Sequence, residues 1–372
     1  MDRPFAIDAR LNAYRGGGIP AYTQRLVAAL AECAPGQHFL VLQHRRAQAP
    51  LISAPNVREV RLWTPPHHRF EQLALPLEVW RLRPALLHSP DFIPPLRRRW
   101  PAVITVHDLA FLRYPEILDT GARRYYGQIR AAVASADAIV ADSESTRYDL
   151  QELLGVPPER VTVIYPAGSP GLHPLMLAEG ERRVVAGTLL EANHFILFVS
   201  TLEPRKNVPT LLRALRLCLD REPGAGYRLV LAGARGWLDD PIFALARDLR
   251  LGDSLVVLGT VDDDELRWLY NACRLYVNAS LYEGFGLPAL EALQCGAASA
   301  VSNASSLPEV VGDAALVVPP LDVEAWAGAI ARLWHDEMLR AQLRERALAQ
   351  SARFSWRRAA EEMLAVYRSV LT

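Results

Sequence analysis

The stretch that decides the fold is residues 275–295, LYVNASLYEGFGLPALEALQC. Its first four residues are mostly apolar, which predicts a short buried strand over residues 275–278. A turn broken by Gly284 and Gly286 follows, and Pro288 is well placed to begin a helix. A buried strand that passes through a glycine turn into a helix is the repeating unit of an open parallel sheet. This stretch therefore predicts an α/β fold.

The same alternation of strand and helix patterns runs through the whole chain. The strands are predicted at residues 5–8, 39–43, 57–63, 86–89, 102–107, 138–142 and 161–165, and then at 195–200, 228–232, 255–259, 275–278, 298–301 and 316–318. Residues 165–193 carry proline, glycine and charge without a period, as linkers do. We therefore predict two doubly wound, Rossmann-like domains, residues 1–178 and 179–355, which face each other across a cleft.

The composition narrows the class of protein. The chain has 372 residues, of which 51% are hydrophobic and 22% are charged, as in a globular protein of two domains. Its 41 basic and 41 acidic residues cancel, so no overall positive charge attracts nucleic acid. The four cysteines are widely spaced and match no zinc motif. The charged N-terminus and the absence of a long apolar run predict a cytoplasmic protein.

Lysine usage singles out one position. Lys206 is the single lysine of the chain, so the remaining basic residues are all arginine. One exception to a general preference for arginine indicates a place that needs a compact ammonium, although chance survival is the alternative. Arg205 and Lys206 follow the predicted strand at residues 195–200, where they can neutralise phosphate charge on a leaving nucleotide. A solvated basic turn is the plainer alternative.

The glycine turn carries the strongest candidate site. Glu283 lies in the turn, and Glu291 lies about one helical turn into the next helix. The backbone amides of Phe285, Gly286 and Leu287 are unsatisfied donors at a helix start and suit a diphosphate. Carboxylates on either side can accept hydrogen bonds from sugar hydroxyls. A capping glutamate and a surface glutamate are the alternative, but they leave the glycines unexplained.

Two further candidates lie in the first half. The loop NAYRGGGIP at residues 12–20 follows the first strand and leads into a helix. Gly17 and Gly18 there let the backbone approach a phosphate, with a flexible turn as the alternative. His107 ends the fifth predicted strand, where it either faces a ligand or bonds a backbone carbonyl.

Three consecutive aspartates at residues 262–264 could be mistaken for a metal site. They directly precede Glu265 and Leu266, where a helix pattern begins. A helix cap explains them better, and we expect no metal.

The chain resembles the retaining GT-B glycosyltransferases of family 4 (group 1), and within them a bacterial mannosyltransferase-like branch. The matching segments are GGGIPAY (16–22), FEQLALP (70–76), LHSP (87–90), VHDLAFLRYPE (106–116), ADSESTRYDL (141–150), TLEPRKN (201–207), LYEGFGLPALEAL (281–293), SSLPEVVGDAALVVPP (305–320) and FSWRRAAEEML (354–364). They span nearly the whole chain, and two glutamates eight residues apart together with EPRKN are specific.

The resemblance implies a role for each residue of the second half. Glu283 would contact the hydroxyls of the donor sugar, and Glu291 would contact the ribose. Arg205 and Lys206 would hold the diphosphate. Such enzymes use a nucleotide sugar as donor and need neither a further cofactor nor a metal.

The resemblance extends to the first half and the end of the chain. Gly17 and Gly18 would help to bind the diphosphate, and His107 would face the donor sugar and the acceptor. The last helix, residues 356–372, would pack back on the N-terminal domain. Two departures stand out, Thr201 in place of the arginine common in the family, and PAGS at residues 166–169 in place of Asn-Gly-Val-Asp.

The expected activity is transfer of a hexose, mannose or a related sugar from a GDP donor, to a saccharide or lipid-linked saccharide acceptor. The anomeric configuration would be retained. One alternative is a UDP- or ADP-glucose-type donor. A nucleotide-sugar epimerase of the same fold and a non-catalytic subunit that binds sugar nucleotides are the others. The sequence does not fix the nucleobase, the linkage or the oligomeric state.

Arginine beside aromatic side chains predicts a contact of the N-terminal domain with the inner face of a membrane. RRRW at residues 97–100 follows FIPPL at residues 92–96, and Arg81 and Arg83 follow Trp80. This mixture of side chains settles at anionic interfaces. A solvated, arginine-rich loop is the alternative.

Overall fold

The computed structural model describes residues 3–14, 16–115, 120–234, 236 and 240–372. The chain forms two units, which we call unit 1 (Met1–Pro166 and Ser355–Thr372) and unit 2 (Ala167–Phe354). The division falls after Pro166, before the position 178 expected from the sequence. The reason is that Leu172 is buried in the core of unit 2 and the amide of Leu175 donates to Asn271 Oδ1, 2.7 Å away.

Unit 1 is built on a parallel sheet of seven short strands. They are β1 (Phe5–Asp8), β2 (Phe39–His44), β3 (Val57–Leu62), β4 (Leu86–Ser89), β5 (Ala102–Val106), β6 (Ala138–Ala141) and β7 (Val161–Val163). They pair in the order β3-β2-β1-β4-β5-β6-β7. Every residue of β2, β4 and β5 is buried, as in sheets covered on both faces.

Helices connect these strands. They are α1 (Gly18–Cys33), α2 (Glu71–Trp80), α3 (Ala110–Arg113), α4 (Thr120–Tyr126), α5 (Ile129–Ser135) and α6 (Glu144–Leu154). Residues 127–128 interrupt the helical stretch between β5 and β6 and separate α4 from α5. The sequence analysis missed α2, because Pro76 lies inside it and proline normally ends a helix.

Unit 2 repeats the scheme with six parallel strands. They are β10 (Ile196–Val199), β11 (Leu229–Ala232), β12 (Leu255–Gly259), β13 (Leu275–Asn278), β14 (Ser299–Ser302) and β15 (Ala315–Val318), preceded by a hairpin of β8 (Arg182–Val185) and β9 (Thr188–Glu191). The six strands pair in the order β12-β11-β10-β13-β14-β15, and the hairpin forms a separate two-stranded sheet. Both large sheets therefore share one order, 3-2-1-4-5-6, which is that of the dinucleotide-binding fold.

The helices of unit 2 lie between and after these strands. They are α7 (Val208–Arg221), α8 (Asp240–Asp248), α9 (Asp263–Ala272), α10 (Leu287–Gln294), α11 (Leu307–Val311), α12 (Val323–His335) and α13 (Glu337–Ser351). Asp262 caps α9. Its carboxylate accepts a hydrogen bond from the Glu265 amide (2.7 Å), and the Glu265 carboxylate accepts one from the Asp262 amide (3.1 Å). The cap predicted for residues 262–264 is therefore present.

The hairpin corrects the expectation of an unstructured linker over residues 165–193. Arg182 pairs with Glu191, and Val185 pairs with Thr188. Ala186 and Gly187 between the strands both have positive φ, 45° and 80°. Two successive residues of this kind make the tight turn that matches the twist of a hairpin.

The last helix, α14 (Trp356–Ser369), packs on unit 1. Its Met363, Leu364 and Tyr367 belong to the same core cluster as Ile7 of β1. The Tyr367 hydroxyl bonds His88 Nδ1 at 2.7 Å. Burial lowers the pKa of His88 to about 3, so this histidine is a neutral part of the core at physiological pH.

Candidate functional site

The candidate site of unit 2 begins where strand order reverses. β10 pairs with both β11 and β13, so the connections after β10 and β13 leave the sheet in opposite directions. A crevice opens at this switch point in doubly wound sheets, and ligands bind in it. The loop after β10 ends in a 3-10 turn, Pro204–Lys206, and the loop after β13 carries Glu283. Topology thus brings these two loops together.

Lys206 and Glu283 form a buried ion pair at this point. The Lys206 Nζ lies 2.8 Å from both carboxylate oxygens of Glu283, and both side chains are 7% exposed. Asn207, with φ of 55°, ends the turn and donates from Nδ2 to the carbonyl of Ala279, 3.0 Å away. This bond ties the loop of Lys206 to the end of β13.

Arg205 lies on the outer side of the pair. Its Nη1 is 3.7 Å from a carboxylate oxygen of Glu283 and donates to the carbonyl of Tyr282 at 3.2 Å. Its Nε donates to Glu203 at 2.9 Å. The structure therefore brings together Arg205, Lys206 and Glu283, three residues that the sequence selected.

The charges at this site are strongly coupled. Burial alone would raise the pKa of Glu283, but Lys206 and Arg205 outweigh it and hold the pKa below its ordinary value. Burial lowers the pKa of Lys206, and the carboxylate of Glu283 opposes that shift. The Glu283 carboxylate is accordingly ionised at neutral pH.

Serines surround Glu283, and the sequence analysis did not select them. The Ser280 hydroxyl donates to Glu283 Oε1 at 2.8 Å. The hydroxyls of Ser305 and Ser306 donate to the carbonyl of Glu283 at 2.5 and 3.1 Å. Ser305 and Ser306 could have been noticed, because they begin the matching segment at residues 305–320. Serines without another motif, however, do not indicate a site.

The glycine turn has the shape that its sequence requires. Gly286 has φ of 98° and precedes α10, and a Cβ on it would lie 2.8 Å from the Leu307 side chain. The Ser306 hydroxyl donates to the carbonyl of Phe285 at 2.8 Å, which fixes the turn. Leu287 and Pro288 begin the helix, so the amides of Gly286 and Leu287 lie at its positive end.

Glu291 lies on α10, within the first two turns. Its carboxylate accepts a hydrogen bond of 3.4 Å from the Tyr270 hydroxyl. Gly168 packs against this part of the helix, since a Cβ on it would lie 3.3 Å from Cγ of Glu291 and 1.8 Å from Oε1 of Gln294. The segment PAGS that departs from the family pattern thus adjoins the residue expected to bind ribose.

Gly233 was not selected from the sequence, but it shapes the edge of the sheet where the loop of Lys206 lies. Gly233, just after β11, has φ of 137°, and a Cβ on it would lie 2.1 Å from the carbonyl oxygen of Ser200. Only glycine lets the end of β11 lie this close to the loop that leads to Lys206.

His107 lies in unit 1, at the end of β5. Its Nδ1 is 2.6 Å from Oδ2 of Asp142, which follows β6, and the ring of Tyr22 meets the imidazole edge-on at 4.7 Å. Burial would lower the pKa of His107, but the charge of Asp142 and its hydrogen bond outweigh burial and raise it. Among the described residues, Nε2 of His107 has no partner. Sequence reasoning missed Asp142, although it begins the polar end of a predicted strand.

The glycine loop of unit 1 borders a cavity of about 490 Å³. Gly17, with φ of 105°, precedes α1, and Gly18 is the first residue of that helix. Asn12, Gln43 and Arg46 also line this cavity. The loop thus places a helix start beside a cavity that Arg46 also lines, an arrangement that suits a negatively charged group.

The segment at residues 92–100 is only partly placed as a membrane contact would require, because Arg97 and Arg99 are exposed but most of its apolar residues are not. Phe92, Ile93 and Trp100 are buried in unit 1. The guanidinium of Arg98 is buried against the carbonyl of Ser135 and the carboxylate of Asp137. Packing of the FIPPL segment thus removes its apolar side chains from the surface except Leu96, which is partly exposed, and the membrane contact of Arg97 and Arg99 stays a prediction.

The two halves of the chain match two families of glycosyltransferases. Residues 16–167 match Glycosyltransferase Family 4, and residues 186–350 match Glycosyl transferases group 1. No helix among the described residues combines the length and the apolar character needed to cross a membrane.

Curated relatives include two mannosyltransferases of Escherichia coli. O-antigen chain mannosyltransferase B is 36% identical over 78% of this chain and 77% of its own length. The serotype-specific mannosyltransferase WbdA is 36% identical over 72% of this chain, and the match spans 34% of WbdA. A D-inositol 3-phosphate glycosyltransferase of Acidothermus cellulolyticus is 32% identical over 74% of this chain and 63% of its own length.

Solved structures share the fold at low sequence identity. Sucrose-phosphate synthase of Thermosynechococcus elongatus has a TM-score of 0.78 at 22% identity and covers 99% of both chains. HepE of Anabaena, in complex with UDP and glucose, has a TM-score of 0.72 at 20% identity, covering 99% of this chain and 100% of HepE. WaaG, a glycosyltransferase involved in lipopolysaccharide biosynthesis, has a TM-score of 0.72 at 15% identity, covering 97% of this chain and 99% of WaaG. The predicted GT-B fold class is thus confirmed, and the chain belongs to the group 1, family 4 glycosyltransferases.

Proposed function

We propose that the protein transfers mannose, or a related hexose, from a GDP-linked donor to a saccharide or lipid-linked saccharide, with retention of the anomeric configuration. The observation that carries this proposal is the buried Lys206–Glu283 pair at the switch point of unit 2, beside the start of α10. The mannosyltransferases among the relatives support the choice of sugar. The reducing cytoplasm is the proposed location, in which the four free cysteines stay reduced.

The diphosphate of the donor is the group that we assign to the two cations. Lys206 and Arg205 neutralise the charge that develops on the phosphate as the bond to the sugar breaks, and the amides of Phe285, Gly286 and Leu287 add a helix start. A fixed ammonium and a guanidinium supply the positive charge that a metal ion provides in other transferases, so the proposed reaction uses no metal. Gly17 and Gly18 of unit 1 assist.

The two glutamates bind the two sugars of the donor, the transferred hexose and the ribose. Glu283, ionised because of Lys206, accepts hydrogen bonds from hydroxyls of the transferred sugar. Glu291 accepts hydrogen bonds from the ribose. The leaving phosphate takes the proton of the acceptor hydroxyl on the same face of the sugar, which retains the anomeric configuration.

His107 is the residue of unit 1 that we assign to the donor sugar and the acceptor. The hydrogen bond of Asp142 to Nδ1 fixes the ring and leaves Nε2 for a sugar hydroxyl. Its raised pKa favours the protonated ring, which donates rather than accepts a hydrogen bond at that nitrogen.

A different donor is the second candidate. One structural neighbour, HepE, was solved with UDP-glucose. A thermal-shift series with GDP, UDP and ADP decides between donors, because a ligand stabilises only the protein that binds it. The GDP proposal requires GDP to give the largest shift, and a larger shift with UDP or ADP would overturn it.

The reaction class is tested by following the donor with and without an acceptor. A transferase consumes GDP-mannose only when a mannan oligosaccharide is added, and NMR of the product then reports an α linkage. An epimerase converts the donor alone, and a non-catalytic subunit does neither. Retained activity in excess EDTA supports the metal-independent form of the proposal, and activity that EDTA abolishes and a divalent ion restores contradicts it.

A further inference from the structure

The outer face of α2 in unit 1 is apolar and exposed. Its residues follow one another at spacings of three, four and three, so they lie within one side of the helix. They are Phe70, which directly precedes the helix, and Leu73, Leu77 and Trp80. Each is between 51% and 70% exposed, whereas Leu75 and Val79 on the opposite face are buried. The helix thus has two apolar faces, and only one of them packs on unit 1.

Trp63 enlarges this face from the neighbouring strand end. The Glu78 carboxylate of α2 accepts a hydrogen bond from the Trp63 amide at 2.7 Å, which holds the residue after β3 against the helix. The Trp63 side chain is 69% exposed. We call the exposed side of the helix, together with Trp63 beside it, the α2 face. Exposed apolar side chains grouped in this way mark a contact with another phase or molecule.

Arginines surround the α2 face. The Arg45 guanidinium lies 3.9 Å from the centre of the Trp63 ring, and that of Arg69 lies 4.7 Å from the centre of the Phe70 ring. Arg81 and Arg83 follow the helix and are exposed. Among the described residues, none of these four arginines forms an ion pair.

The acidic residues of the same helix do not cancel this charge. Glu71 is buried and ion-paired with Arg10. The carboxylate of Glu78 is bonded to the amides of Trp63 and Thr64. The chain as a whole is neutral, so the positive charge around the α2 face is a local feature.

We propose that the α2 face docks on an anionic lipid bilayer, with Leu73, Leu77 and Trp80 at the level of the headgroups and the arginines on lipid phosphates. Aromatic and leucine side chains bordered by arginine are the composition of helices that lie in a membrane interface. A second copy of the chain fits less well, because a two-fold contact would set the arginine rims against each other. The contact requires neither donor nor acceptor, so it stands or falls separately from the proposed transfer reaction.

Sedimentation with vesicles tests the proposal on the full chain. Vesicles of phosphatidylcholine with 30% phosphatidylglycerol should carry wild type into the pellet at low salt, and pure phosphatidylcholine should carry much less. Leu73→Ser/Leu77→Ser/Trp80→Ser should weaken binding at least about tenfold, because three exposed apolar contacts with the bilayer are lost. Since these side chains are exposed, the variant should keep the wild-type melting temperature, which a thermal melt checks.

Matched charge variants show whether position matters. Arg69→Gln/Arg81→Gln/Arg83→Gln should weaken binding to anionic vesicles, and the binding that remains should change less with salt concentration. Arg213→Gln/Arg332→Gln/Arg344→Gln removes the same charge from exposed helix positions of unit 2 and should bind as wild type does. The proposal is overturned if wild type stays in the supernatant, if the leucine and tryptophan variant binds equally well, or if both arginine variants lose binding to the same extent. A dimer that the apolar variant dissociates, without vesicle binding, would assign the face to a second copy instead.

Discussion

Units 1 and 2 each bury a cation in the loop that follows the first strand of their large sheet, but the two cations are held differently. In unit 1, Arg10 follows β1. Its Nη2 lies 2.6 Å from Asp8 and also contacts Glu71, and its Nη1 donates to the carbonyl of Thr64 at 3.1 Å. In unit 2, Lys206 follows β10 and is held by both oxygens of Glu283. Among the described residues, Arg10 has four partners, since Nη1 also donates to the carbonyl of Pro65 at 3.4 Å, and the Lys206 ammonium has one.

The number of donors explains the difference. The guanidinium of Arg10 has five N–H groups in one plane, and its three nitrogens all donate to neighbouring groups. The ammonium of Lys206 has three N–H groups, and Glu283 accepts two hydrogen bonds from it, with no third acceptor recorded among the described residues. Arg10 is thus a cross-link of the fold, whereas the proposed function assigns the remaining N–H of Lys206 to the diphosphate of the donor. This contrast gives a physical reason for the single lysine of the chain.

Removing either cation should have the largest effects of the changes considered, and it tests whether the two cations differ in role. Arg10→Met leaves Asp8 and Glu71 without the cation they share, whereas Lys206→Met leaves Glu283 with Arg205, 3.7 Å away, as its nearest cation. Each change should lower the free energy of unfolding, by about 3–5 kcal/mol for Arg10→Met and by less for Lys206→Met, measured by urea denaturation.

Ligand binding separates the two variants. Folded Lys206→Met should lose about 100-fold in transfer rate and most of its thermal shift with GDP. Arg10→Met should keep the wild-type rise in melting temperature at saturating GDP, because the substitution changes unit 1 and the proposed GDP contacts of the cations lie in unit 2. Equal loss of nucleotide binding in both would refute the distinction between cross-link and site.

The two glutamates of unit 2 should separate by ligand. Glu291→Gln should weaken binding of bare GDP, and Glu283→Gln should weaken GDP-mannose while sparing bare GDP, each by about 1.5–3 kcal/mol. Calorimetric titration of both ligands measures this. Equal effects on bare GDP would contradict the two assignments.

Lys206→Arg sharpens the donor argument. The larger, planar group must fit a site that is 7% exposed, so transfer should fall about tenfold. Kinetics at saturating donor measures the fall. Activity equal to that of wild type would make the single lysine an accident of composition.

Asp142→Asn should give the smallest effect. Without the carboxylate, only the weaker effects of Asp91 and Asp108 oppose burial, so the pKa of His107 should fall, which NMR of labelled histidine detects. In wild type the raised pKa stabilises the fold fully below pH 6.5, and this contribution disappears as the pH rises through the folded pKa. A histidine pKa unchanged by Asp142→Asn would show that Asp142 does not control the ring.

The sequence predicted what depends on local pattern. Alternating apolar runs gave β1, β4, β12 and β13 with the observed bounds, and glycine with lysine marked the switch point of unit 2. It missed the hairpin at residues 182–191, whose turn depends on positive φ at Ala186, an unusual residue there.

Long-range contacts explain the other failures. Arg10 bonds residues more than fifty positions away, and no local motif announces such a cluster. The same holds for the segment at residues 92–100, whose aromatic and arginine pattern is identical whether it is exposed or packed against Ser135 and Asp137. The α2 face could not be predicted because Pro76 lies within α2, and a proline at that position argues against a helix.

The return of α14 to unit 1 has a consequence for synthesis on the ribosome. Unit 2 is continuous in sequence, but unit 1 needs residues 355–372, and Met363, Leu364 and Tyr367 complete a core that begins with Phe5. During translation, the apolar side chains that this helix covers therefore stay exposed until residues 355–372 have left the exit tunnel. The C-terminal unit can finish folding before the N-terminal one, which reverses the usual order of domain folding. Nascent chains stalled before residue 355 should consequently bind chaperones through unit 1.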